Sequence, residues 1–153
     1  MKASELRIGN FIYDSVVSLL GDNRSVIKVQ GIGLVGIQYT FDYKGSGVLS
    51  MEYNPDLFSP TPLTEEWLLK FGFENSSHPD FDFHINIPHL RDNNYKSTIG
   101  VIEWSDGVIE VYRVNGKTDI HTAETCGVAT IQYVHQLQNL YFALTGEELT
   151  YGK

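Results

Sequence analysis

Residues 130–149, TIQYVHQLQNLYFALTGEEL, decide the fold. Val134, Leu137, Leu140, Tyr141 and Leu144 recur at helical spacing, and Gly146 stands where a helix would stop. Residues 62–73, PLTEEWLLKFGF, repeat that logic in a shorter form. Thr64 is a good N-cap, and Glu65 and Glu66 fall in the first turn, where the helix dipole favours acidic groups. Leu63 and Leu68 have the spacing of a hydrophobic staple, and Gly72 has the position of a C′ glycine. The apolar face of this helix is Leu63, Trp67, Leu68 and Phe71, so Trp67 reads as core rather than as a ligand platform. The remainder of the chain is strand-like.

The sixty residues that open the chain read as short strands between glycine-rich turns. Residues 8–13 (IGNFIY), 25–30, 35–41 and 48–53 are the candidates. Within 25–30, Ile27 and Val29 alternate with Val26, Lys28 and Gln30, which is the period of a half-buried strand. Four or five such strands in this length predict a small, strongly bent or SH3-like β unit over 1–60. The glycines of GIGLVG at 31–36 have the look of a phosphate loop, yet a helix must follow such a loop and VGIQYTF is β-branched and aromatic instead. The segment 54–62, NPDLFSPTP, carries three prolines and reads as the boundary.

In the second half, residues 80–87 alternate strictly, with Phe81, Phe83, Ile85 and Ile87 on one face and Asp82, His84 and Asn86 on the other. Pro88 ends that strand or marks it as an edge. Residues 97–114, STIGVIEW-SDG-VIEVYRV, read as a hairpin turning at Asp106-Gly107. Residues 117–126 are polar and ambiguous, and a last strand is placed at 128–133. The expected architecture is α+β: the N-terminal β unit (1–60), then a short helix and an antiparallel sheet with the C-terminal helix packed on it (61–153), the two halves forming one compact body.

Composition narrows the setting. A chain of 153 residues can bury a core without staples, and 42% apolar with 20% charged residues is ordinary for a soluble globular protein. The single Cys126 excludes an internal disulfide framework and a multi-thiolate metal site, which makes a reducing cytoplasm the expected compartment. No apolar run approaches the roughly 20 residues of a spanning helix, and MKASELRIGN lacks the apolar core of a signal peptide, so no membrane partner is expected. The net charge of −8 is unevenly placed: residues 1–60 hold five Lys/Arg against six Asp/Glu, residues 61–153 six against thirteen. Phosphate neutralisation supplies most nucleic-acid affinity, so duplex binding by the acidic half is disfavoured.

The segments ELRIGNFIY (5–13), PLTEEWLLKFGF (62–73) and YVHQLQNLYFALTGEEL (133–149) resemble a set of uncharacterised proteins from gut Bacteroides-type bacteria and their phages or mobile elements. In that set an RIGN-type opening strand and the two helical segments recur around a variable middle. The resemblance covers about a third of the chain and carries over no catalytic residue. It implies an intracellular accessory protein of a prophage or mobile element, with anything specific to this member lying in 76–125.

Four groups of side chains could carry chemistry. His78, Asp82 and His84, together with Asp80, share strand parity at roughly 7 Å per step of two, and His and carboxylate ligands of this kind hold Zn²⁺ or another divalent ion. A third ligand would have to come from elsewhere, for instance His89 or His121; the competing reading is a polar solvent face. Glu103 and Glu110 fall opposite each other if the hairpin loop has two residues, and are offset if it has three. Cys126 and His135 form a dyad only if the fold unites them; otherwise His135 is a neutral structural histidine near a helix N-terminus. Tyr39, Phe41, Tyr43 and Tyr53 either decorate the β unit as a binding patch or fill its core, with core favoured for Tyr39 and Phe41.

The expected function is therefore a non-enzymatic accessory or interaction protein, needing no cofactor and acting through a protein partner or its own oligomer. The alternatives are a metal-dependent enzyme using the cluster at 78–84 and a single-stranded nucleic-acid binder using the N-terminal β unit.

Overall fold

The computed structural model describes residues 3–14, 26–33, 36–42, 48–53, 58–77, 79–92, 95–103, 108–116 and 124–150. It is a mixed α+β protein, and among the described residues it has two five-stranded antiparallel sheets and two α-helices. The chain divides into two compact units: Met1–Pro62 with Tyr133–Ala143, and Leu63–Gln132 with Leu144–Lys153.

In the N-terminal unit a 3-10 turn, Ala3–Glu5, precedes β1 (Phe11–Asp14), β2 (Val26–Ile32), β3 (Ile37–Asp42), β4 (Val48–Tyr53) and β5 (Phe58–Pro60). The sheet runs β4-β3-β2-β1-β5, a meander whose last strand returns beside the first. The alternation at 26–30 appears as expected, with Ile27 and Val29 buried and Lys28 and Gln30 exposed. A slip of one residue would exchange those faces, so the buried pair fixes the register. Leu6, Ile12, Ile27, Val29, Ile37, Tyr39 and Phe58 form the core of this unit. Tyr39 meets Phe58 edge to face at 5.3 Å, which resolves Tyr39 as core. β5 lies inside the proline-rich segment read as a boundary. Its Pro60 sits opposite Ile12 on an outer strand, where a missing N–H is tolerated.

The second unit holds α1 (Glu65–Lys70), β6 (Glu74–Asn75), β7 (Phe83–Asp92), β8 (Tyr95–Glu103), β9 (Ile109–Gly116) and β10 (Glu124–Ile131), in the sheet order β10-β9-β8-β7-β6. Thr64 is the N-cap of α1, but through its backbone carbonyl, which accepts from Trp67 and Leu68; its hydroxyl makes no cap bond. At the other end Gly72 takes φ +84°. The Phe73 N–H then reaches the Leu68 carbonyl at 3.0 Å and the Gly72 N–H reaches that of Leu69, the paired bonds of a Schellman stop. Leu63, Trp67, Leu68, Phe71 and Phe73 are buried.

Two strand expectations change. The alternating stretch becomes regular only at Phe83, and β7 continues through Pro88, where its pairing with β8 is interrupted between Ile87 and Asp92. Pairing with β6 reaches only His84 and Phe83, so Pro88 lies on an outer stretch of the strand, as a proline requires. β10 begins at Glu124, inside the segment that sequence left ambiguous.

The C-terminal helix α2 (Val134–Thr145) has a different partner from the one expected. The sequence set it on the second sheet, in the unit 61–153. Its residues up to Ala143 belong instead with the N-terminal unit. Hydrogen bonds give the reason. The Gln138 side chain accepts from the Phe11 N–H at 2.9 Å and donates to the Gly9 carbonyl at 3.1 Å; the Asn139 side chain donates to the Glu5 carbonyl at 2.8 Å and accepts from the Asn10 amide at 3.0 Å. The Arg7 guanidinium lies 3.5 Å from the Phe142 ring centre. The buried face of α2 is Val134, His135, Leu137, Gln138 and Tyr141, whereas Leu140 and Leu144 are only half-buried.

Candidate functional site

Direct pairing across an antiparallel sheet puts two side chains on one face. Following the register from strand to strand therefore builds a row on the second sheet: Glu74, His84, Gly100, Tyr112, Gly127. The neighbouring rows on that face are Ile102–Glu110–Thr130 and Asn86–Thr98–Val114–Thr125. Polar and titratable groups thus gather here, while Phe83, Val101 and Val111 share the opposite, apolar face.

The two glycines of the central row accommodate aromatic rings. A methyl group at Gly100 would come within 2.7 Å of the Phe81 ring, and one at Gly127 would meet Tyr112 at 3.5 Å. Phe81 and Tyr112 then lie 5.6 Å apart with tilted planes. Alternation had grouped Phe81 with Phe83. It precedes the strand and covers Gly100 on the His84 face instead, held there by the Asp82 N–H bond to the Val101 carbonyl at 2.9 Å. Gly100→Ala is expected to force this ring aside at a cost of about 1–3 kcal/mol, the range for overpacking a filled site. A thermal midpoint unchanged from the parent would refute the packing.

Tyr112 donates its hydroxyl to the Glu110 carboxylate at 2.7 Å, two residues away on the same face. That hydrogen bond, with a smaller contribution from desolvation and from the carboxylate charge, raises the phenol above its ordinary value. Glu110 is therefore engaged with a phenol, and the strand register does not set it opposite Glu103. The register pairs Glu103 with Ile109 and Glu110 with Ile102, which corrects the two-residue-loop alignment and removes the opposed carboxylates. Like charges directly opposite destabilise a strand pair, and the one-residue offset avoids this. The turn Asp106-Gly107 itself lies outside the described residues.

Of the expected metal ligands, His78 lies outside the described residues, as does His121. Asp82 is exposed in the bend before β7, where its N–H donates to Val101 and its carbonyl accepts from Ser76. His84 is half-buried on β7 opposite Glu74 and Gly100, and its Nδ1 is shielded from solvent without a hydrogen-bond partner among the described residues. Among the described residues no three His, Cys, Asp or Glu side chains converge as a metal site would require. Cys126 is exposed on β10, with its thiol pointing to the Gly127 carbonyl at 3.6 Å. It belongs to a different unit from His135, which is buried at the start of α2.

Two features escaped the sequence reading. Gln138 is a buried polar side chain on the apolar side of α2. Its signal was present, because position 138 follows Val134 by one turn and precedes Tyr141 by three. The aligned Gly100 and Gly127 had no such signal, since their juxtaposition exists only once the strand register is known.

The fold and this face define a mixed α+β protein with a polar row on its second sheet. No family model matches the chain, and neither curated proteins nor solved structures provide a match. Among the described residues, no helix is long and apolar enough to cross a membrane.

Proposed function

We propose that this chain is a non-enzymatic accessory protein of a prophage or mobile element, working in the cytoplasm by binding a protein partner. The observation that carries the reading is the outer strand β10. Among the described residues it stands at the end of its sheet, hydrogen-bonded to β9 on one side, and it runs eight residues with Glu124 as its single charged residue. Cys126, Gly127 and Val128 are exposed in succession, Val128 at 36%. Outer strands are commonly blunted by lysine, proline or a very short length; β10 has only a register shift between Gly127 and Ala129. Such an edge suits addition of an extended segment from another chain, in which main-chain hydrogen bonds supply the affinity.

Two further considerations support the reading. The strand order of the N-terminal sheet, in which β5 returns beside β1, is compatible with an SH3-like unit, a common binding scaffold. The resemblance of 5–13, 62–73 and 133–149 to proteins of mobile elements supplies the cellular setting.

Affinity capture from a native host lysate, with mass spectrometry, tests the proposal. The parent chain is expected to retain a specific protein that Val128→Lys, a charge on the exposed edge, releases. Capture of no partner together with turnover in a broad hydrolase screen would overturn it. So would a full equivalent of Zn, Mn, Fe or Ni on protein purified without a His tag, because a working metal site binds tightly.

A further inference from the structure

We propose that His135 makes the attachment of α2 to the N-terminal unit proton-sensitive, so that acidification releases the helix from β1. The imidazole is 2% exposed and occupies the second position of the helix, where the partial positive charge of the N-terminal turn disfavours an added cation. Its Nδ1 has no hydrogen-bond partner among the described residues, and the Tyr133 ring stacks on it at 5.9 Å with planes 10° apart. A protonated ring in this position would carry a charge without an acceptor for one of its two N–H groups.

Burial pushes the His135 imidazole below its ordinary value of 6.5. Glu5, on the 3-10 turn, opposes that shift, and the amino terminus of the chain reinforces it. The bonds that anchor the helix lie one turn further along, on Gln138 and Asn139. These amides do not titrate, which leaves His135 as the pH-responsive group on this face of α2.

The direction follows from proton linkage. A detached helix exposes His135 at its ordinary value near 6.5, whereas the attached helix holds it lower. Between those two values the detached state binds a proton that the attached state refuses. Attachment is therefore at full strength above about pH 6.5 and weakens as the pH falls toward the depressed value.

Hydrogen exchange on the full chain reads this directly. After correction for intrinsic exchange, the opening equilibrium of the α2 amides should rise by up to roughly fivefold between about pH 6.5 and 5.5, the one-proton limit for a group of ordinary value 6.5 in the open state. His135→Gln should remove that dependence. In the parent chain, the His135 ring proton should titrate below 6.5 by NMR, a measurement that stands even if the variant does not fold. Equal α2 protection at the two pH values, the same slope in His135→Gln, or ring titration at or above 6.5 would each overturn the proposal.

Discussion

Leu137→Ala is expected to destabilise the N-terminal unit by about 2–5 kcal/mol, the range for removing a large buried aliphatic side chain. Leu137 has no solvent exposure and lies on the buried face of α2 beside Val134 and Tyr141. A twelve-residue helix is marginal in water by itself, so its packed face supplies most of its stability. The effect should register as a lower thermal midpoint and as lost amide protection in α2. Leu140→Ala is the control: the half-buried Leu140 has less contact to lose and should cost less. Equal losses at the two positions would mean that the helix packs with a different face from the one described.

Gln138→Leu probes the same helix through its polar contacts. The substitution keeps apolar bulk, so cavity formation contributes little. It leaves the Phe11 N–H and the Gly9 carbonyl without the amide that now serves each of them. An orphaned buried backbone group costs about 1–3 kcal/mol, the loss expected at the buried Phe11 N–H, and the half-buried Gly9 carbonyl adds less. A Leu variant as stable as the parent would show that these contacts are dispensable.

The pattern of these predictions reflects what local sequence can encode. The bounds of the short helix were legible, from Thr64 to the Gly72 stop, because caps and stops depend on a few adjacent residues, although the Thr64 hydroxyl makes no cap bond. The strand of Ile27 and Val29 was legible for the same reason: its alternation is complete within five residues. Alternation misled at Phe81, where the period of two runs on past the point at which the backbone turns. The partner of α2 was not legible, since an apolar stripe states that a helix packs and not on what. The one local clue was Gln138, an amide set within that stripe. On the second sheet, the separation of Glu103 from Glu110 and the alignment of Gly100 with Gly127 both depend on register, which loop length and bulges set at a distance. The proline-rich segment concealed β5 because Pro60 argues against a central strand while permitting an outer one.

The bond between Gln138 and Phe11 joins residues 127 positions apart in the chain. During synthesis, the strands of the N-terminal unit emerge from the ribosome long before the helix that completes them. At an elongation rate of about 5–20 residues per second, the interval is on the order of ten seconds. For that time the surface that receives Leu137 and Gln138 is without its cover, and closing so long a loop carries an entropic penalty that local strand pairing avoids. The N-terminal sheet is therefore incomplete until synthesis has passed α2. A nascent chain arrested before residue 133 should hold that sheet in a form that proteases cut and chaperones bind.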